Sequence, residues 1–533
     1  MTVSENAIHA WTAALGEGKV DASEASCARY GKTTLPSGTT PCCILHPTTQ
    51  EDVQTIARIA QEHGQPIYPI SGGKNWGYGD ACAPEEHAAI IDLGGMNRIL
   101  KIDPALGYVV IEPGVTQQQL YEAVRAQAPD FWLDVTGAGP NATIVGNIME
   151  RGFGHTPYAD HVRSTCGMTV VLPDGRLLET GFGHYPGNKT QHLYPYGVGP
   201  ILDGLFYQSN LGIVTQVGVW LCPRPEAFCF FVLKLFEEDH LDLAIEALRP
   251  LRMKGILNSA VHIGNDLRVF TSIDKYPWAE TAGETPLPDA LRQKMRAEMK
   301  LGVWNVTGSL TGTHPQVGEA RRRLKRACGH LGKLIFVDDR KLALGSWVLS
   351  KLAPFGLLKS LVKNFQGLVP NYGLLQGVPT DMPLQSVGWR LRIPPTEPIT
   401  NPHDVHVGLI WLAPVLPLRG EDARQLLTLV EPLFHAHGFD LPVTMTLLNE
   451  RSMVAVMNVS FDKSVADDVD RALACYHTVT DALIEAGYIP YRSSLAGMGH
   501  IAPEGDMFWE VARDIKASLD PAGILAPGRY IPR

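Results

Sequence analysis

An α+β fold in two parts is what this sequence predicts, and three observations lead there. A short apolar lead-in (Ile67, Tyr68, Ile70) runs into a glycine-rich stretch, PISGGKNWGYGDA at residues 69–81, and further strand-like runs follow it. Beyond residue 222, strands and helices alternate without glycine loops, the pattern of an antiparallel sheet covered by helices. At 533 residues the chain is too long for one compact core, while 45% hydrophobic and 19% charged residues mark it as an ordinary globular protein.

The elements follow in order. Thr48 and Glu51 have capping-box spacing, and Val53, Ile56, Ala57 and Ala60 recur at helical intervals, so residues 48–61 predict an amphipathic helix beside the strand that feeds the glycine loop. The loop has a phosphate-cradle composition: glycine permits positive φ and close approach, and successive N–H groups can converge on an anion. Strands at 89–93, 98–102 and 108–112 come next, closed by Pro113-Gly114, with a helix starting at Thr116 and Gln119 at capping-box distance. Together these read as a strand-rich diphosphate-binding domain. Gly31-Lys32-Thr33 imitates the end of a nucleotide P-loop, but Ser26 stands where its first glycine belongs. Gly137-x-Gly139-x-x-Ala142 imitates a dinucleotide fingerprint and lacks the acidic residue about 20 positions on. Asp174-Gly175 predicts a hairpin between 168–172 and 176–179.

The pattern shifts at Leu221 to Pro225, which sets expected boundaries of 1–222 and 223–486, with 487–533 returning to the first domain. The second part predicts a strand at 228–236, helices at 239–251, 288–301 and 319–331, and a strand pair at 443–449 and 452–458; a last helix spans 504–519. Residues 340–380 contain no Asp or Glu, and Leu344, Trp347, Leu352, Leu361 and Phe365 are interleaved with Lys341, Lys351, Lys359 and Lys363. That composition suits membrane-surface contact, a lid over the substrate entrance or an oligomer contact.

A net charge of −9 leaves no electrostatic footprint for nucleic acid. Nine cysteines without CxxC spacing read as reduced thiols, and the N-terminal stretch has no apolar run of signal-peptide length, so a cytoplasmic protein is expected.

With the motifs in view, the chain resembles the flavoproteins of the vanillyl-alcohol oxidase and 4-cresol dehydrogenase type. The resemblance rests on GGKNWGYG (72–79), VIEPGVT (110–116), VGNIMERGFGHTPYADH (145–161), YPYGVGPILDGLFYQSNLGIVT (194–215), Tyr491-Arg492 and DPAGILAPGR (520–529), in the family's order over nearly the whole chain. It implies the PCMH-type two-subdomain FAD-binding fold with an antiparallel-sheet substrate (cap) domain, and bound FAD. As cofactor-binding residues it implies Ser71, Gly72, Gly73, Lys74, Asn75, Gly77 and Gly79 of the loop, then Pro113, Gly137, Gly146, Asn147, Gly154 and Tyr158. Gly212, Ile213, Val214 and Arg529 complete that set, with the turn at 195–197 expected nearby. Tyr78, Tyr491 and Arg492 match the residues that hold a substrate phenol as phenolate. A phenol of pKa ~10 kept ionised at neutral pH needs about 4 kcal/mol, within reach of one guanidinium and two hydroxyl donors in a dry pocket. The implied reaction is oxidation of 4-alkyl, 4-allyl or 4-hydroxymethyl phenols: hydride leaves the benzylic carbon for flavin N5, and a quinone methide is hydrated or rearranges. Molecular oxygen or a c-type cytochrome is the implied electron acceptor, and a homodimer the implied assembly.

Departures from the family are also legible. Val387 precedes Gly388-Trp389-Arg390 where one branch carries a flavin-linked tyrosine, and Leu409 stands five residues before Pro414 where another carries a flavin-linked histidine. Non-covalent FAD is therefore expected, with His403 or His406 as the fallback linkage. The oxidase branch's aspartate maps near Thr136-Gly137, two to three residues from Asp134, and a family histidine pair is replaced by Val454-Ala455. Rival readings are a flavoprotein of the same fold acting on a non-phenolic alcohol or hydroxy acid, and a flavin-fold binding protein without turnover. No metal site is expected.

Overall fold

The computed structural model describes residues 3–352 and 369–532. The first part holds two larger sheets and a short two-stranded pair, Phe131–Trp132 with Cys222–Pro223. Strands Ile44–Leu45, Ala89–Asp92 and Ile67–Ile70 pair in parallel in that spatial order, with Val20–Asp21 antiparallel at the edge. Helix Gln50–His63 makes the crossover that a parallel pair requires, burying Val53, Ile56, Ala57 and Ala60 as the periodicity predicts. Its capping box is Thr49 with Asp52, one residue later than Thr48 and Glu51: Thr49 accepts from the Asp52 N–H, and Asp52 accepts from the Thr49 N–H. Gly64 closes the helix at φ 62°.

The second sheet is antiparallel, in the order Ile99–Asp103, Tyr108–Ile111, Ile213–Trp220, Thr165–Val171, Leu177–Glu179. Its last pair is the hairpin predicted at Asp174-Gly175, where Gly175 has φ 83°. At helix Gln117–Gln127, Thr116 caps the Gln119 N–H, but the Gln119 side chain turns to Asn97 O at 2.8 Å, leaving half a capping box.

An eight-stranded sheet follows, antiparallel throughout: Gly332–Val337, Ala227–Leu235, Trp304–Gly312, Val261–Asn265, Val443–Leu447, Ser452–Asp462 and Val407–Leu412, with Val415–Pro417 also on Ser452–Asp462. Strand alternation divides its faces. Phe231, Leu233, Ile263 and Ile410 point into one core with helices His240–Met253, His314–Cys328, Gly420–Ala436 and Ala466–Glu485. Their neighbours His262, Leu409 and Trp411 point the other way, toward the glycine loop. The helix expected from 319 begins a turn earlier, at His314, because Thr313 and Gln316 form a capping box and Pro315 suits the first turn.

Pro354, Leu357, Leu358, Lys359, Leu361, Val362, Lys363 and Phe365 of the 340–380 stretch lie outside the described residues. Within them, helix Asp339–Leu352 exposes Leu344 and Trp347, whereas Tyr372 and Leu375 pack on Phe230. Among the described residues no helix is long and apolar enough to cross a membrane, no side-chain group has metal-ligand clustering, and all nine cysteines are free.

Candidate active site

The glycine loop is held from beneath. Asp80, buried, accepts hydrogen bonds from the Thr34 N–H and hydroxyl, and Thr34 Oγ1 accepts from the Gly77 N–H at 2.8 Å. Burial drives the Asp80 carboxyl up to about 7 against those bonds. The false P-loop ending at Thr33 is thus the loop's buttress. On the other side the loop meets helix Ile144–Met149: a Cβ on Gly146 would stand 2.8 Å from Thr143 Oγ1 and 3.2 Å from Ser71 Cβ. Two glycines marked as cofactor contacts answer to packing instead. Gly77 (φ 74°) passes within 2.4 Å, Cβ position to Cδ1, of Trp411, and Gly79 (φ 135°) leaves no room for a Cβ beside Leu495.

Between loop, helix and eight-stranded sheet lies a cavity of ≈ 370 Å³. Ser71, Gly72, Gly73, Lys74, Asn75 and Tyr78 line its floor. Gly137, Gly146 and Asn147 line one wall, with Gly212, Ile213 and Val214 at the start of strand Ile213–Trp220 and Arg529 on the segment returning to the first part. Arg268, Pro383, Leu384, Val387, Leu409 and Trp411 close it from the other side. Gln117 fixes the wall at residues 136–139, accepting from the Thr136 N–H at 2.7 Å and donating to Gly139 O at 2.8 Å.

Other expected contacts lie elsewhere. Pro113 sits in a turn whose Gly114 N–H donates to Met96 O, away from the cavity lining. A Cβ on Gly154 would stand 2.0 Å from Asp134 Oδ2. Asp134 gathers the 154–161 loop through the His155 and Thr156 N–H groups and His161 Nε2 at 2.7 Å, so it points away from the cavity, as the sequence suggests. Tyr158 rides on this loop, half-buried, outside the lining. The turn at 195–197 exposes Tyr194 and Tyr196 and takes no part. His406 is exposed, and His403 packs edge-on against Trp76, 5.3 Å between ring centroids; neither lines the cavity.

One corner collects charge. Arg492 stacks on Tyr78, its guanidinium carbon 3.9 Å from the ring centroid. Its Nε donates to Glu150 Oε2 at 3.1 Å and its Nη2 to Asn75 Oδ1. Arg529 donates to Glu150 Oε1 at 2.9 Å, and the Tyr530 hydroxyl donates to the same carboxylate. Burial works to raise the Glu150 carboxyl, but Arg529 and Arg492 outweigh it and hold it at about 2. Tyr491 packs on Phe153 rather than lining the cavity; burial pushes Tyr78 and Tyr491 above an ordinary phenol, with the Arg492 charge pulling both back. Glu150 is the residue that sequence reasoning passed over, although it lies inside the quoted 145–161 stretch as that segment's only glutamate.

The polar groups on the other side of the molecule's cleft, His155 and His262 outside the cavity lining and Arg268 within it, are different in kind. His155 Nδ1 lies 3.0 Å from His262 Nε2, and His262 Nδ1 lies 3.1 Å from Thr446 Oγ1. Burial, His155 and Arg268 push His262 down to about 3, so the pair is neutral. Arg268 Nη1 donates to Ser386 Oγ at 3.0 Å.

The cavity suits a large polar cofactor. Trp76 Nε1, Ser209 Oγ and Arg529 Nε, on three lining residues, are buried without a partner. A glycine floor and orphaned donors fit such a cofactor, and comparison with known proteins identifies it as FAD in a flavoprotein oxidoreductase of the PCMH-type fold. Residues 41–181 match the FAD binding domain family. The chain is 35% identical, over 99% of its length and 97% of the relative's, to 1'-carboxy-chondrochloren decarboxylase of Chondromyces crocatus. It is 31% identical, over 98% and 94%, to the 4-cresol dehydrogenase [hydroxylating] flavoprotein subunit of Pseudomonas putida. The solved 4-ethylphenol oxidase from Gulosibacter chungangensis, in complex with isoeugenol, superposes with a TM-score of 0.90 at 29% identity, covering 99% of this chain and 97% of that one. The chain belongs to the flavoprotein family that contains 4-cresol dehydrogenase.

Proposed function

We propose that this enzyme oxidises para-substituted phenols at the benzylic carbon. The observation that carries the reading is the corner in which Arg492 lies against the Tyr78 ring, its guanidinium carbon 3.9 Å from the centroid, with Tyr491 next to it in the chain. Tyr78, Tyr491 and Arg492 hold the ring oxygen of the substrate and favour its ionised form. Glu150 and Asn75 aim the guanidinium. Ionising the ring oxygen sends electron density to the para carbon's substituent, from which hydride departs. Bound FAD supplies the hydride acceptor. Ser71 to Asn75, Gly137, Gly146, Asn147, residues 212–214 and Arg529 line the cavity and would hold that cofactor, and the aliphatic Val387 and Leu409 would offer it no covalent bond. In this reading residues 1–222 and 487–533 bind FAD, and 223–486 shape the substrate site.

The test is to mix the yellow protein with 4-alkyl and 4-allyl phenols, with and without oxygen. Anaerobic bleaching of the flavin, absent with hydroxy acids, supports the proposal; bleaching by hydroxy acids alone overturns it. Oxygen uptake, or reduction of an added c-type cytochrome, then identifies the acceptor. A second outcome of the same oxidation, loss of a carboxyl group from the para side chain, is favoured by the relative named as a decarboxylase.

A further inference from the structure

Three arginines line the cavity, and they are not equivalent. Arg492 and Arg529 share Glu150, and each has further neutral acceptors. Arg268 has none of this. Among the described residues its guanidinium makes one hydrogen bond, to the Ser386 hydroxyl, and no carboxylate pairs with it. The undescribed residues 353–368 contain no Asp or Glu that could supply one. Other arginines deep in the same half are compensated: Arg292 and Arg296 by Asp266, and Arg252 by three backbone carbonyls.

The surroundings give Arg268 no reason to stay unpaired for packing alone. It follows strand Val261–Asn265 on helix Asp266–Ile273, whose cap Asn265 accepts the Arg268 N–H at 2.9 Å, so the backbone is fixed and the side chain is delivered to the cavity wall. Ser386 spends its proton on Pro383 O at 2.7 Å, which leaves its lone pair for Arg268 and orients the guanidinium. Nearby stand the neutral His155–His262 pair and the apolar Leu384 and Val387. A desolvated cation with no counter-charge is costly, and one that lines a ligand cavity is relieved by an anion brought in with the ligand.

We infer that Arg268 is a specificity residue for an anionic substrate: a para-substituted phenol whose side chain ends in a carboxylate, held by Arg268 while the ring oxygen sits at Tyr78, Tyr491 and Arg492. The inference rests on the substrate reading of the cavity given above, and it adds the far end of the substrate. Two poles of positive charge, one compensated by Glu150 and one open, fix the molecule's direction. The compensated pole takes the phenol oxygen, and the open pole takes the full negative charge.

The experiment measures ligand dissociation constants by perturbation of the flavin spectrum of the holoenzyme. The probes are 3-(4-hydroxyphenyl)propanoate, its neutral amide, 4-propylphenol, and 3-phenylpropanoate, which keeps the carboxylate and lacks the phenol. The parent protein should bind the hydroxyphenylpropanoate about tenfold or more tightly than the amide, the scale of a charge-assisted pair. Arg268→Met should abolish that preference and change 4-propylphenol binding by less than about twofold; Arg268→Lys should keep part of it. Equal binding of acid and amide by the parent overturns the inference. So does equal weakening of all probes in Arg268→Met, or loss of FAD by both variants, since either result makes Arg268 a structural or cofactor-holding residue. Binding of 3-phenylpropanoate that is lost in Arg268→Met, with no binding of 4-propylphenol, upholds the anion site while the phenol reading fails.

Discussion

The two walls of the cavity handle charge in opposite ways. On the wall built from residues 75–78, 150 and 491–530, every cation has an anion: Glu150 serves Arg492 and Arg529, and Tyr530 adds a hydroxyl. On the wall built from the eight-stranded sheet and its connections, Arg268 has no carboxylate partner among the described residues and is set among Leu384, Val387, Leu409 and Trp411, with the His155–His262 pair outside the lining. A fully paired network is rigid and keeps its geometry whether or not a ligand is present. A wall left unpaired is completed by whatever it binds. In the reading proposed above, the first wall carries the shared chemistry and the second the choice of substrate.

Glu150→Gln tests the paired wall with the largest expected effect. The change keeps the shape and leaves two buried guanidiniums facing each other without a counter-charge, so stability should fall by about 3 to 5 kcal/mol, read as a lower urea midpoint and early flavin release. The pH dependence follows from the depressed carboxyl. Its folded pKa is about 2 against the ordinary glutamate value of 4.5, so the stabilisation is complete above about 4.5 and is lost as pH falls toward 2. The Gln variant should lack that loss. A variant as stable as the parent would show that the corner is not an electrostatic unit.

Removing the clamp groups comes next. Arg492→Leu takes away the charge nearest Tyr78, and binding of a phenolic inhibitor as phenolate should weaken by about 1.5 to 3 kcal/mol. Hydride transfer should slow in parallel, because the same charge drives it. Tyr491→Phe should do the same to a smaller degree, and FAD should remain bound in both. If both variants bleach with a 4-alkylphenol as fast as the parent, the clamp assignment is wrong.

Much of the first wall could be read from the sequence and little of the second. The glycine loop announces itself because backbone approach demands glycine in a cluster, and Tyr78, Tyr491 and Arg492 sit in quotable motifs. Composition cannot say which glycine serves a ligand and which serves a neighbour. Gly77 and Gly154 are glycines because Trp411 and Asp134 press on them, and those contacts come from residues 334 and 20 positions away. Glu150 looks like the end of a short helix until residue 529 is folded beside it. Arg268 looks like an ordinary exposed residue in the first turn of a helix. Its meaning lies in a missing partner, and a missing partner has no sequence signal. The helix frames slip for a more local reason: Thr48 and Thr49 both offer capping-box spacing, and only the backbone decides between them.

The unpaired wall has its own pH signature, smaller and in a different window. Burial, with His155 and Arg268 nearby, lowers the His262 pKa from the ordinary 6.5 to about 3. The unfolded chain therefore takes up a proton first as pH falls below 6.5, and the folded protein loses about 1 kcal/mol of stability between pH 7 and 5.5 on this account. His262→Asn should flatten that part of the melting-temperature profile and leave the Glu150 window below 4.5 unchanged. Profiles that shift together would erase the distinction between the two walls.

The last expectation is an effect of nearly nothing. If the wall of the eight-stranded sheet selects substrate, it has no need to anchor the cofactor, and its residues at the family's two linkage positions agree: Val387 and Leu409 line the cavity with side chains that cannot form a bond to the flavin. His403 lies behind Trp76 and His406 is exposed. Acid precipitation should therefore release the yellow colour to the supernatant, and His403→Ala and His406→Ala should leave the flavin content of the purified protein unchanged. Colour retained in the pellet of the parent and lost from the pellet of His403→Ala would mean that Trp76 moves aside to let His403 reach the ring. The wall assigned here to substrate choice would then hold the cofactor as well.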